Sequence, residues 1–211
     1  MKQFIILIGL FCCFNGNIFC QDKSYFFDEY AFSVNRTILE KKDFKGRIGF
    51  GAGVKNTLRR DKALNITLGL EYNRTSQLVK YIYNGHFSRS EDVTYTLNYF
   101  SIPVGLRFNL GSNPKFFIES GGYLDLVIAS REKGTNYSYS SYGNPDNVTK
   151  FNRKADVSDS YGLYLAFGLR TPVFGHELLI CPEYKFGFND VYRYYDPMYS
   201  RYLKLNIGVK F

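Results

Sequence analysis

Between Tyr95 and Ile128 apolar and polar residues change places at nearly every step. Phe100, Ile102, Val104, Leu106, Phe108 and Leu110 take every second position, with Tyr99, Ser101, Gly105, Arg107 and Asn109 between them. A period of two is the signature of a β-strand with one apolar face. Gly111-Ser112-Asn113-Pro114 interrupts the pattern with turn residues, after which Phe116, Ile118, Leu124, Leu126 and Ile128 resume it, with Glu119, Gly121, Tyr123 and Asp125 opposite. The stretch therefore reads as a long antiparallel hairpin. Its arms exceed the roughly five or six residues of an ordinary globular strand and match the ~9–11 residues of a tilted strand that crosses a bilayer.

The same alternation predicts six further strands. They are Tyr30 to Ile38, with Phe32 and Val34 on one side; Arg47 to Lys55, where Ile48, Phe50, Ala52 and Val54 alternate with glycines; and Leu64 to about Gln77. Beyond the hairpin come Tyr161 to Arg170, Leu178 to Phe188 and Tyr202 to Phe211. Short connections near 59–62, 111–114 and 172–176 alternate with longer ones at 79–94, 131–157 and 189–200, and the segment from Arg131 to Val157 is expected to be irregular. Eight strands with every other connection short predict an all-β, eight-stranded antiparallel up-and-down transmembrane β-barrel.

The polar face of these strands carries Gly49, Gly51, Gly53, Gly69, Gly105, Gly121, Gly162, Gly168, Gly187 and Gly208. Glycine weakens a strand that faces water, but inside a narrow barrel it makes room for large neighbours such as Arg107, Tyr123 and Tyr164. The polar face is therefore placed inside and the bulky apolar face against lipid, with Tyr72, Phe100, Phe188 and Phe211 suited to interfacial girdles. Glu71, Glu119, Asp125 and Glu183 then share the interior with Arg107, Arg170, Lys185 and Lys204. These eight are expected to form an interior polar network, because a lone buried charge is costly.

The N-terminus adds a location. Met1-Lys2-Gln3 followed by the apolar run Phe4 to Phe14 reads as a secretory signal, too short to span a bilayer as a helix. The division is a signal peptide at 1–20, cleaved before Gln21, and an outer-membrane β-barrel domain at 21–211. A lipoprotein reading of Cys12, Cys13 or Cys20 lacks the Leu-small-small pattern. After cleavage Cys181 is the only thiol, so no internal disulfide is available. The whole chain of 211 residues carries a formal net charge of +8. Loss of Lys2 leaves 26 basic against 19 acidic residues, a net +7 that suits an anionic surface. The basic residues are scattered through strands and loops rather than gathered into a stripe, which argues against nucleic acid.

The phrases Tyr99-Phe100-Ser101-Ile102-Pro103-Val104-Gly105-Leu106-Arg107-Phe108, Ile118-Glu119-Ser120-Gly121-Gly122-Tyr123-Leu124 and Pro182-Glu183-Tyr184-Lys185-Phe186-Gly187, with the terminal Gly208-Val209-Lys210-Phe211, resemble the eight-stranded, OmpA-type outer-membrane β-barrel domain proteins abundant in Bacteroidetes, among them the PorT-like proteins. The resemblance runs from roughly Gly46 onward and departs from the family at the first strand, which lacks its Gly-rich opening. It implies residence in the outer membrane and a role in secretion or envelope assembly. It brings no catalytic residue with it.

No phosphate loop and no Cys-x-x-Cys pair is present, and the chain has two His, so no cofactor and no metal site is expected. His86-Phe87-Ser88, with Glu91 nearby, resembles the His-x-Ser arrangement of outer-membrane lipid A deacylases, in which an imidazole activates a serine. The competing reading is an ordinary polar loop. In the long segment Arg131, Lys133, Lys150, Arg153 and Lys154 are candidate contacts for lipopolysaccharide phosphates, with Tyr137, Tyr139 and Tyr142 offering flat contact area. The five Asn-x-Ser/Thr sequons fall partly on strands and carry no assignment. The reading that results is a non-enzymatic barrel that anchors itself and presents loops to lipopolysaccharide or an envelope protein. Its alternatives are a lipid A-modifying enzyme and a small-solute pore, the last disfavoured because eight strands enclose little beyond their own side chains.

Overall fold

A computed structural model describes residues 27–38, 43–58, 63–111, 115–140, 144–173, 175–192 and 199–211. The expected signal and its cleavage site, the turns at 59–62 and 112–114, and Tyr142 lie outside the described residues. Within them the strands are β1 (Glu29–Thr37), β2 (Phe44–Leu58), β3 (Leu64–Tyr83), β4 (Ser88–Leu110), β5 (Lys115–Ser138), β6 (Asn147–Arg153), β7 (Ser160–Val173), β8 (His176–Asp190) and β9 (Tyr199–Lys210). All pairings are antiparallel. β1 pairs with both β2 and β9, and β4 pairs with β5, so eight of the strands close into a ring. β6 stands outside that ring and pairs with the far part of β5, from Glu132↔Arg153 to Ser138↔Asn147.

The eight-stranded antiparallel ring is the fold that the alternation predicts. Closure gives each of the eight strands a neighbour on both sides within the ring, which leaves no open sheet edge there. The start of β1 lies beside the end of β9, with Glu29 opposite Lys210, and the short turns share this end of the ring. It is called the termini end below, and the other the hairpin end.

Two segments differ from expectation. The connection at 80–92, expected to be polar loop, continues β3 and β4 as a hairpin with its turn at Asn84–Phe87. The segment 131–157, expected to be irregular, is the far half of β5 together with β6. The physical reason is common to both. Period-two hydrophobicity arises only where one whole face of a strand meets an apolar medium, whereas these extensions mix polar and apolar pairs on each face, Thr135↔Lys150 beside Tyr137↔Val148 and Asn136↔Thr149 beside Gly134↔Phe151. Backbone hydrogen bonds hold them without leaving an apolar stripe in the sequence.

The outer surface of the ring is apolar. Phe32, Leu106, Phe167 and Leu203, on four different strands, are each half or more exposed. Single exposed apolar residues are normal on a protein surface, but a continuous band around the whole molecule is not. Rings mark the edges of the band: Tyr161 packs edge-on to Phe188 at 6.4 Å, and Tyr30 to Phe211 at 5.7 Å. Glycine makes the narrow interior possible. A Cβ at Gly168 would stand 1.9 Å from the Phe117 ring, and one at Gly105 would stand 2.1 Å from the Tyr164 hydroxyl.

Candidate functional site

The inward positions build a chain of charges of alternating sign. From the termini end, Asp28 meets Lys210 at 2.7 Å, and Lys210 meets Glu29 at 3.3 Å. Glu29 receives the Arg107 guanidinium on both carboxylate oxygens, with Nη2 at 2.9 Å, and the other side of Arg107 donates through Nε to Glu119 at 2.7 Å. Glu119 also meets Lys55 at 3.0 Å, and Lys55 lies 3.7 Å from Glu183. Lys204 joins Glu183 at 3.0 Å to Glu71 at 2.7 Å, and Lys185 joins Glu71 at 3.3 Å to Asp125 at 3.5 Å. Each charge between the end members Asp28 and Asp125 has its opposite on either side, so the field of one carboxylate is met by a cation before it reaches the next. Away from water this matters, since an ion left alone there is strongly unfavourable.

Aromatic side chains fill the space around the ions. The Tyr164 hydroxyl donates to Glu119 at 2.8 Å, and the Tyr202 hydroxyl to Asp125 at 3.1 Å. The Lys185 ammonium lies 4.7 Å from the centre of the Tyr123 ring, and the Arg107 guanidinium lies 4.2 Å from that of Phe117. A cavity of about 20 Å3 remains, lined by Glu29, Lys55, Arg107, Lys204, Cys181 and neighbours. That is room for about one water molecule. The Cys181 thiol faces this small space and is buried.

Of the eight interior residues named from the sequence, Glu71, Arg107, Glu119, Asp125, Glu183, Lys185 and Lys204 lie on this ladder. Arg170 lies apart at the termini end, where it meets Glu177 at 3.3 Å and rests over the Phe117 ring, 5.3 Å from its centre. Four members were missed. Lys55 and Lys210 continue the inward parity of Gly51, Gly53 and of Lys204, Asn206, Gly208, so the signal was in the pattern. Asp28 and Glu29 sit where the alternation of β1 begins, and no repeat precedes them to set their parity.

Toward the hairpin end the interior turns apolar. Val79, Val93, Tyr95, Leu97, Tyr99, Ala155, Val191 and Tyr192 form one buried cluster, and the Tyr95 and Tyr192 rings pack edge-on at 5.0 Å. Two segments cross the mouth to complete it. Val157 and Tyr192 form a backbone bridge, and Ser158 donates its N–H to the Val191 carbonyl at 2.9 Å. The ring is thus filled by ions along its length and stoppered by this cluster.

Beyond the stopper, β3 to β6 continue as a four-stranded sheet. A bulge in β4 between Glu91 and Thr94, with Asp92 at φ +52°, marks its base. Asp is among the few residues that take the left-handed region readily. Tyr83, Arg89, Tyr137 and Val148 are successive cross-strand partners and so share one face, with Tyr83 and Val148 well exposed. The Arg89 guanidinium lies 5.6 Å from the Tyr137 ring centre and 5.5 Å from that of Tyr139. Lys133, two and four residues before Thr135 and Tyr137, and Lys150, opposite Thr135, fall on this face, and both are exposed. Arg131 and Lys154 are exposed as well. Arg153 is differently placed, since it pairs with Glu132 and lies over the Phe151 ring at 5.0 Å. His86 belongs to the turn of the β3–β4 hairpin, and the Ser88 hydroxyl donates to Asn136 at 3.2 Å.

A closed ring of eight antiparallel strands, apolar around its outside and ion-paired within, is the construction of a transmembrane β-barrel, because lipid leaves no backbone or buried charge unpaired without heavy cost. The family agrees with the class. The chain belongs to the outer membrane protein beta-barrel domain family, whose model matches residues 14–193. No curated protein matches it. Among solved structures it is similar to Neisserial surface protein A, with 15% identity and a TM-score of 0.48, over 88% of this chain and 96% of that one. It is also similar to Ail, the attachment invasion locus protein of Yersinia pestis, solved in complex with the heparin analogue sucrose octasulfate, with 11% identity and a TM-score of 0.40, over 87% and 97% of the two chains. A third is the N-terminal β-barrel domain of Pseudomonas aeruginosa OprF, with 10% identity and a TM-score of 0.38, over 87% and 98%.

Proposed function

We propose that the protein is a non-enzymatic barrel of the outer membrane, exported by a cleaved signal at 1–20, that anchors itself by its apolar band and acts through the sheet at its hairpin end. The observation that carries this reading is the contrast between a lumen filled with paired charges and an exposed sheet whose aromatic and basic residues share one face. A filled lumen leaves no place for a solute to pass, whereas loops and hairpins on a rigid scaffold are where binding groups concentrate. Arg131, Lys133, Lys150 and Lys154 supply cations and Tyr137 and Tyr139 supply flat rings, a combination suited to the phosphates and sugars of lipopolysaccharide. Arg153, already paired with Glu132, contributes least. His86 and Ser88 are given no chemical role. Work within secretion or envelope assembly, which the PorT-like resemblance implies, would use the same sheet as its docking face.

The test is binding of purified, micelle-embedded protein to lipopolysaccharide aggregates. Lys133→Glu with Lys150→Glu is expected to weaken binding at least tenfold while the heat-modifiable shift of the folded barrel on gels persists. Unchanged binding by the folded double variant would remove the sheet from the account.

A further inference from the structure

The barrel wall carries a notch on its apolar side, away from the hairpin-end sheet. Across β1 to β4 the outward cross-strand row is Phe32, Ala52, Tyr72 and Phe100, three large rings around a single methyl group. Gly51 and Gly53 flank Ala52 along β2, so the strand has little bulk on either face there. The result is an open groove of about 530 Å3 walled by the rings of Tyr30, Phe32, Tyr72 and Phe100. It runs between rings in the band that faces lipid.

The next row toward the hairpin end is Val34, Phe50, Arg74 and Asn98. It lies two residues along each strand, roughly 7 Å away. Here the surface changes from apolar to polar. The Arg74 guanidinium lies over the Phe50 ring, 5.6 Å from its centre, which keeps the charge close to the wall above the groove. The Tyr72 hydroxyl points the same way and donates to Asn98 at 3.0 Å. One step further along β1, Arg36 is exposed on the outward face, two residues beyond Val34. An apolar slot therefore ends under the Arg74 guanidinium, with Arg36 exposed on the same face one row further along.

We infer that this groove binds one molecule of a phosphorylated lipid, with an acyl chain over Ala52 between Phe32 and Tyr72 and a headgroup phosphate at Arg74 and Arg36. The inference rests on the apolar band being the lipid-facing surface. Charge selects the occupant. Guanidinium forks match phosphate oxygens in geometry as well as sign. A second copy of the chain, docked about a two-fold axis, would bring this patch against its own image and set arginine against arginine at the same height. An uncharged lipid would fill the slot and leave the arginines without an anion.

The test uses the full barrel folded in maltoside micelles, with diphosphoryl lipid A as the probe and native mass spectrometry as the readout. Wild-type protein is expected to retain one lipid A per barrel. Ala52→Leu, which fills the slot from its floor, and Arg74→Gln, which removes the charge, are each expected to lower the retained fraction at least tenfold. Leu165→Ala, on the far wall, is expected to leave it unchanged. Diacylglycerol should be retained poorly, and millimolar inorganic phosphate should fail to displace lipid A. Equal retention by both variants, equal retention of diacylglycerol, or displacement by phosphate alone would each overturn the inference. Insertion of the variants, read from their heat-modifiable shift, separates this failure from failure of the membrane reading, in which wild type itself would not insert.

Discussion

Arg107 shows at the scale of one residue how the interior is held. Its guanidinium faces Glu29 on one side and Glu119 on the other, and all three are almost fully buried. Removing the cation leaves Glu29 with Lys210 and Glu119 with Lys55 as their remaining counter-ions, takes away the charge that bridges the two carboxylates, and leaves little room for water to replace it. Arg107→Ala is expected to destabilise the barrel by about 3–5 kcal/mol, the range for breaking a buried ion pair from one side. Urea unfolding in micelles measures it, and a change below about 1 kcal/mol would mean that the ladder is hydrated rather than dry. The glycines belong to the same scale. At Gly168 the Phe117 ring occupies the place of a side chain, which is why a residue with no Cβ stands opposite a large one.

At the scale of the strand, the pattern of the sequence was readable wherever a wall separates two media. Leu203, Leu205 and Ile207 against Lys204, Asn206 and Gly208 is one such run, and the structure buries Lys204 and Asn206 while it exposes Leu203, Leu205 and Ile207. Leu205→Arg is expected to cost ~2–4 kcal/mol, as a charge near the bilayer midplane does. Leu205→Ile is expected to cost less than ~1.5 kcal/mol, because no jigsaw partner is disturbed. Comparable losses from both changes, in unfolding experiments on refolded protein in vesicles, would argue that Leu205 packs against protein. The ends of β3 and β4 beyond about Lys80 and before Val93, the part of β5 from Arg131 on, and all of β6 were not legible for the complementary reason. Each of their faces mixes polar and apolar residues, with Phe151 beside Thr149 and Val148 beside Lys150, so they leave no periodic trace. The lumen was half legible: the parity of each strand told which charges point inward, but not which would touch. The partners of Arg107 depend on Glu29, 78 positions away in the chain. The apolar stopper was not legible, because Ala155, Val157, Val191 and Tyr192 come from connections and not from an alternating run.

At the scale of the whole molecule, the ring is tall on one side and short on the other. β4 has 23 residues and β5 has 24, whereas β1 has 9. The excess projects as one sheet beyond the stopper. From Arg74, at the polar edge of the band, to Tyr83 at the tip of β3 is roughly 30 Å along the strand. With ions along its length and Tyr95, Leu97 and Tyr192 across its mouth, the barrel is expected to pass no steady current in a planar bilayer. Reproducible open-channel steps from purified protein would contradict the filled lumen.

The barrel is expected to span the outer membrane with this sheet outside the cell, and accessibility on living cells decides it. An even number of ring strands puts both ends of the barrel domain on one side, with the short turns, and the β5–β6 hairpin on the other. Proteinase K added to intact cells is expected to cut between about Gly134 and Lys154, near the turn that joins β5 to β6, while the ring stays folded and embedded. Cleavage there only after the outer membrane has been permeabilised would place the sheet in the periplasm and reverse the orientation.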